Sequence, residues 1–310
     1  MRLDISEKRY RNNKDVQQVI HVTLNLYNGD AEEMLGRLPD NSMDMSIQSP
    51  PYDNLRNYSN SNNQWSFDKF KAIARQLHRV MKDGSVSVWI VNDATIDGGR
   101  TLTTFRQAIY FQEIGFKVHD VMIWEKPNSA HPSPRDGKRY SGIYEYMLIL
   151  VKGKRIRQDI TLIADKPNKY ANMGSWGKLT DRVNGNDELV DVGKGKLRNV
   201  PEFSLRNNIW KCNLANVDPL SKKYKHPAAF SLPLCRDHIL SWSIEGDTVL
   251  DCFMGGATSG VAALQCKRNY VGIELVGDYY DKIAKPRLME YMTDKDRLIE
   301  NNFDQHAERF

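Results

Sequence analysis

Two short stretches of this chain combine residue types that can do chemistry. The first is Ser49-Pro50-Pro51-Tyr52. A serine Oγ and a proline carbonyl are both hydrogen-bond acceptors, and the proline ring restricts φ, so its carbonyl is held in place. Two held acceptors suit an amino nitrogen whose lone pair is delocalised into a ring, as in the exocyclic amine of a nucleobase. Such a nitrogen must pyramidalise before it attacks an electrophile, and its N–H groups then need acceptors aimed at that geometry. A preorganised contact of this kind contributes about 3–4 kcal/mol to a transition state, against about 1 kcal/mol for an ordinary hydrogen bond. Tyr52 adds a ring face on which an extruded base can stack. A plain turn or a polyproline ligand is the simpler use of the same four residues.

The second stretch is Asp251-Cys252-Phe253-Met254-Gly255-Gly256-Ala257, followed by Tyr270-Val271-Gly272-Ile273-Glu274. It reads as strand, small-residue turn, helix, second strand and terminal acid. In doubly wound folds the small residues let a cofactor approach the backbone, and an acid roughly 20 positions on binds a ribose diol. The adjacent glycines do not fit G-x-G-x-x-G, which disfavours a nicotinamide cofactor.

The elements that must position these stretches follow from hydrophobic spacing. Helices are predicted over Ala31–Leu38, Phe67–Met81, Thr101–Ile114, Pro227–Ser243, Thr258–Gln265 and Asp278–Met292. Strands are predicted over Met43–Ile47, Ser85–Val91, Lys117–Trp124, Tyr144–Val151, Asp247–Asp251 and Tyr270–Ile273, with Lys82-Asp83-Gly84 ending the second helix. This alternation indicates a doubly wound, Rossmann-like α/β sheet. Residues 152–225 break the pattern and form an inserted region between a first half, 1–151, and a second half, 226–310.

The insert is also the basic part of the chain. Residues 152–225 hold sixteen Lys/Arg and eight Asp/Glu, a surplus of +8, so the remainder carries −3 of the total +5. Such a segment suits a polyanion, and Lys178, Arg182, Lys194, Lys196 and Arg198 are candidate phosphate contacts, with Arg56 and Tyr58 just beyond the first motif. The composition, 40% hydrophobic and 27% charged, allows an ordinary core. The longest apolar run, Met147–Val151, is far short of the ~20 residues that span a bilayer. The polar start MRLDISEKRYRNNKD lacks a signal-peptide apolar stretch, so a cytoplasmic location is expected. Four scattered cysteines without a CxxC pair suggest neither a metal site nor a disulfide framework.

SPPY, together with DCFMGGATSG and HPAAFSLPLCRDHI, resembles the amino-group DNA methyltransferases of the beta class. In that class the catalytic motif comes first, the target recognition region follows and the cofactor motif comes last, as they do between about Leu24 and Pro286 here. The resemblance implies S-adenosyl-L-methionine as cofactor. Asp251, Phe253 and Gly255 would line its methionine part, Glu274 would hold its ribose and Asp30 would sit near its adenine, with Gly256 also at the cofactor and His226, Pro227 and Phe230 in the motif before the cofactor strand. It implies double-stranded DNA as partner, acted on by base flipping and direct displacement at Ser49, Pro50, Pro51 and Tyr52. It also admits a homodimer and a cognate restriction endonuclease. Cys252, Gly256 and Ala257 stand where the family commonly has Pro, Ser and Gly, and the alanine adds one methyl near the cofactor. SPPY in place of DPPY is closer to the N4-cytosine members than to the N6-adenine members, and adenine stays open as the alternative. A non-catalytic nucleic-acid-binding protein on the same scaffold is a further one. Carbon-5 methylation needs a nucleophilic cysteine, usually after proline, and none of the four follows a proline.

Overall fold

A computed structural model describes residues 2–3, 22–51, 65–127, 139–169, 171, 175–178, 180–182, 189–191, 197–213, 219–226 and 231–293. β1 (Leu24–Asn28) leads to α1 (Ala31–Gly36), and β2 (Met43–Gln48) follows, buried along its whole length. Burial on both faces is the mark of a central strand in a parallel sheet. Ser66 caps α2 (Phe67–Val80) by accepting the Lys69 N–H, and Phe70, Ile73, Ala74, Leu77 and Val80 form its buried stripe. β3 (Met81–Val91), α3 (Thr103–Glu113), β4 (Phe116–Glu125) and β5 (Tyr144–Lys152) complete the first run. The chain returns with β6 (Ile209–Lys211), α4 (Leu232–Trp242), β7 (Thr248–Asp251), α5 (Thr258–Gln265), β8 (Asn269–Glu274) and α6 (Lys285–Thr293).

The strands lie in the order β1-β8-β7-β2-β3-β5-β4-β6, with the short strand Arg2–Leu3 antiparallel outside β1. From β1 to β6 only β5 runs against its neighbours. One buried cluster joins residues of α1, α2 and α3 to one face, among them Leu35, Phe70, Leu77 and Phe111. The other joins residues of α4, α5 and α6 to the opposite face, among them Cys235, Ile239, Val261 and Leu288. This is the doubly wound α/β architecture expected from the alternation.

Several boundaries differ from the spacing-based ones. The second helix stops at Val80, and Met81 is already extended at φ −69, ψ 142. Lys82-Asp83-Gly84 lies inside β3 as an irregularity: the pairing passes from Met43↔Met81 to Met45↔Val86, and Gly84 takes φ +77. Val80 and Met81 are both fully buried, so packing carries the chain straight into the sheet. The helix predicted from Pro227 is formed over Leu232–Trp242, and residues 227–230 lie outside the described residues. The last helical run contains a π-helical stretch, Tyr280–Ala284. β6 has no precursor in the sequence pattern: three residues are too few to show a period. It pairs in parallel with β4, and Trp210 stacks on His238 at 4.4 Å and 27°.

The chain divides into two compact units, residues 1–161 with 208–310, and residues 162–207. The second unit is narrower than the insert bounded by composition. It is a nested series of antiparallel pairs: Lys166–Pro167 with Phe203–Ser204, Ser175–Lys178 with Leu197–Asn199, and Thr180–Arg182 with Leu189–Asp191. Arg206 donates from Nε to Asp165 Oδ2 at 3.0 Å, which holds the Asp165 carboxyl below its usual range. Residues 162–207 have eight Lys/Arg and six Asp/Glu, only +2 of the +8 surplus. Two of the other cations have structural duties in the larger unit. Lys152 Nζ donates to Asn41 Oδ1 and Met81 O, and Arg157 bridges Asp159 and Asp247.

Candidate active site

β2 and β7 are parallel neighbours, with Val249 opposite Met45 and Leu250 opposite Ser46. From β7 the chain crosses by α5 to β8 on one side, and from β2 it crosses by α2 to β3 on the other. The carboxyl ends of β2 and β7 therefore open at the point where strand order reverses, the crevice in which open α/β sheets bind ligands. Ser49 follows β2 directly, and the Cys252–Ala257 turn follows β7 directly. Sequence spacing alone gives no hint that two motifs some 200 residues apart share one crevice.

Hydrogen bonds pin the end of β2. The Ser46 hydroxyl donates to Ser87 Oγ at 2.6 Å, and Gln48 Nε2 donates to the same oxygen at 2.9 Å. Gln48 lies opposite Trp89 of β3, whose ring meets Phe253 edge-on at 5.9 Å and 79°. Trp65 meets Phe253 from another side at 5.6 Å and 84°. Phe253 thus ties the β7 turn to the strand beside the one that ends at Ser49. Pro50 is buried, and Ser49 and Pro51 are half-buried. Tyr52, Arg56 and Tyr58 lie outside the described residues, as do Pro227, Phe230, Lys194 and Lys196. The backbones of Lys178, Arg182 and Arg198 lie on the short strands of the second unit.

The turn after β7 is organised by two buried carboxylates. Asp251 Oδ1 accepts the Phe253 N–H at 2.9 Å, and Oδ2 accepts the Ser259 hydroxyl. Glu274 Oε2 accepts the Gly255 N–H at 2.8 Å, and Oε1 accepts the Val276 N–H at 2.8 Å. Burial pushes the Asp251 carboxyl up to about 7, against the pull of the Ser259 and Phe253 donors. Burial likewise raises Glu274 above its usual range. Among the described residues neither carboxylate is paired with a lysine or arginine. Asp251 takes two donors and Glu274 takes the Val276, Gly255 and Leu275 N–H groups, and carboxylate oxygens keep further acceptor capacity. Buried anions held only by N–H and O–H donors fit a ligand that brings a positive charge and hydroxyl donors.

Asp30 caps α1 by accepting the Glu32 and Glu33 N–H groups, and pairs with Lys69 Nζ at 2.7 Å. Asn28 Nδ2 and the Gly29 N–H both donate to the Glu274 carbonyl, at 2.8 and 2.9 Å, so the Asn28–Asp30 loop adjoins the end of β8. His226 packs against the glycine pair. A Cβ added at Gly255, where φ is +51, would come within 3.1 Å of His226 Cε1, and one at Gly256 within 3.0 Å of His226 Cβ. The histidine is thus one physical reason why those positions are small. Ala257 has φ +57, and its methyl is fully buried in the core.

Residues that spacing did not reveal complete the turn. Arg287 donates to the Gly256 carbonyl and to Thr258 Oγ1, spanning 31 residues. The Tyr270 hydroxyl lies 2.9 Å from Ser259 Oγ. At the far end of β4, the buried Lys126 and Glu145 form an ion pair, and Lys126 Nζ sits 4.5 Å from the Trp124 ring centroid. No local pattern announces these partners, although Ser259 stands in the stretch already singled out.

Residues 43–285 match the N6/N4 family of DNA methylases, and the chain belongs to that family. The orphan methyltransferase M.BamHII of Bacillus amyloliquefaciens is 42% identical over 264 residues, 84% of this chain and 93% of that protein. The DNA adenine methyltransferase YhdJ of Escherichia coli (strain K12) is 25% identical over 288 residues, 90% of this chain and 84% of that protein. Among solved structures, the cytosine-N4-specific PvuII DNA methyltransferase shares the fold. Its TM-score is 0.61 at 20% identity, over 87% of this chain and 92% of that one. The protein is a DNA methyltransferase. No helix among the described residues is long and apolar enough to cross a membrane.

Proposed function

We propose that this methyltransferase modifies the exocyclic N4 amino group of cytosine in double-stranded DNA, with S-adenosyl-L-methionine as methyl donor. One observation carries the reading: the Ser49–Pro51 turn and the Asp251–Ala257 turn leave neighbouring parallel strands at the switch point of the sheet. The cofactor supplies an electrophilic sulfonium methyl. Asp251 and Glu274 hold it, the first toward its cationic methionine portion and the second toward its ribose diol. Asp30, fixed beside Glu274 by the Asn28 contacts, stands at the adenine end, and Phe253 lines the methionine part. Ser49 Oγ and the Pro50 carbonyl would accept hydrogen bonds from the amino group of a flipped base and Tyr52 would stack on it, orienting the nitrogen to displace the methyl from the sulfonium sulfur, with the thioether as leaving group and one amino proton lost to solvent.

The base is chosen on Ser49: SPPY is closer to the N4-cytosine members of the family than to the N6-adenine members. Adenine N6 is the rival, since the family covers both and the curated relatives include an adenine methyltransferase. Residues 152–225 carry target recognition, with Arg56, Tyr58, Lys178, Arg182, Lys194, Lys196 and Arg198 toward DNA. The setting is cytoplasmic, and the partners to test beyond DNA are a second copy of the chain and a restriction endonuclease of the same specificity.

Transfer of labelled methyl to mixed-sequence DNA, followed by nucleoside analysis, tests the reading. N4-methylcytosine is expected, and N6-methyladenine would overturn the use of Ser49 as base discriminator. Ser49→Ala should lower the turnover rate by about 100-fold or more with cofactor affinity unchanged. A near-normal rate in that variant would remove Ser49 from the mechanism.

A further inference from the structure

We infer that Tyr270 is a positioning residue for the cofactor turn, acting through the Ser259 hydroxyl to hold the Asp251 carboxylate in one orientation and in its charged form. The inference rests on the assignment of Asp251 to the cofactor made above. Tyr270 is the second residue of β8, and its ring is fully buried. Two glycines make its berth. A Cβ at Gly260 would lie 2.8 Å from Tyr270 Cε1, and one at Gly272 would lie 2.7 Å from the same atom. The ring is thus confined between β8 and α5, with its hydroxyl 2.9 Å from Ser259 Oγ.

The direction of the hydrogen bonds follows from proton counting. Ser259 has one hydroxyl proton, and it goes to Asp251 Oδ2. The Ser259 oxygen must therefore accept from Tyr270, which gives a relay from phenol to serine to carboxylate. Asp251 Oδ1 is held independently by the Phe253 N–H. A phenylalanine at 270 would fill the same space, so core packing does not account for the hydroxyl. What the hydroxyl adds is polarisation of the bond that favours the Asp251 anion against burial.

Few other groups can titrate in its place. Glu274 and Tyr270 of β8, Cys235 of α4 and the adjacent Cys252 are the ionisable neighbours that act electrostatically on Asp251 or feel its charge. Arg287 of α6 is bound to the neighbouring Gly256 carbonyl and Thr258. Burial pushes the Tyr270 phenol and both thiols well above their usual ranges, so they stay protonated near neutral pH. Asp251 and Glu274, with His226 packed against Gly255 and Gly256, are left to shape the pH dependence of binding, and His226 is common to all the variants.

The test is calorimetric binding of S-adenosylmethionine to the full-length wild type, Y270F, S259A and the double variant, across neutral pH. Y270F should bind about three- to tenfold more weakly at about pH 7. The pH at which its affinity falls by half should lie higher than in wild type, because the carboxylate takes up its proton sooner. S259A should show a shift at least as large, and the double variant should add nothing to S259A, since Tyr270 acts only through Ser259. A wild-type profile in Y270F would overturn the inference and leave the site assignment standing, as would full additivity in the double variant. Absence of binding by the wild type at every pH would overturn the site assignment and the inference together. If Y270F does not fold, S259A decides: an unchanged pH midpoint in that variant overturns the relay.

Discussion

Replacing Asp251 by asparagine should stabilise the cofactor-free protein while abolishing cofactor binding. Asn has the shape of Asp and keeps an acceptor for the Phe253 N–H, and its amide can donate to Ser259. What it removes is a buried charge. The Asp251 carboxyl rises from an unfolded value of 3.8 to about 7 in the folded chain, chiefly through burial. A carboxyl raised in the native state keeps its proton there after the unfolded chain has lost it. Stability therefore declines as pH climbs from about 4 to about 7, and the full penalty is present above that window. At about 1.4 kcal/mol per pH unit, the penalty is about 4 kcal/mol. Thermal denaturation of wild type and D251N, without cofactor, measures it. At about pH 8 the variant should melt several degrees higher, and the advantage should vanish toward about pH 4. Glu274, also raised by burial, repels the Asp251 charge, so the difference between the two proteins reports Asp251 together with its coupling to Glu274. If D251N were no more stable than wild type at about pH 8, or its advantage did not change with pH, Asp251 would not be a buried charge awaiting a ligand.

Two further substitutions probe the same turn. Ala257→Gly should leave stability within about 1 kcal/mol, because relief of a left-handed alanine is offset by the lost buried methyl and the freer unfolded chain. It should also leave cofactor affinity unchanged, since the methyl lies in the core; tenfold tighter binding by the glycine variant would show that the methyl obstructs the ligand. Gly272→Ala places a Cβ 2.4 Å from Met254 Sδ and 2.7 Å from Tyr270 Cε1. It should lose about 1–3 kcal/mol by overpacking, read from the denaturant midpoint, and a neutral result would show that the Tyr270 berth yields.

The sequence by itself determined the class of fold and singled out the two stretches to which the chemistry is assigned. Alternating apolar periods mark α2, β5 and α5 because each buries one stripe or both faces in a way that local spacing records. SPPY is legible because two prolines cannot continue a strand, which places the end of β2 just before Ser49. Glu274 is legible because its distance from the glycine turn is set by one helix and one strand.

Only the tertiary structure decided what meets what. Neighbour order in a parallel sheet is set by crossovers, so nothing in β2 or β7 alone states that they lie side by side. Lys69 on Asp30, Arg287 on Gly256 and Tyr270 behind Ser259 join residues 39, 31 and 11 apart through geometry that leaves no period in the chain. The glycines show the same division. Composition marks 255 and 256 as small, but only packing shows that His226 lies against them. The methyl of Ala257, beside the glycine pair in the sequence, is turned into the core by a backbone angle that residue type does not disclose.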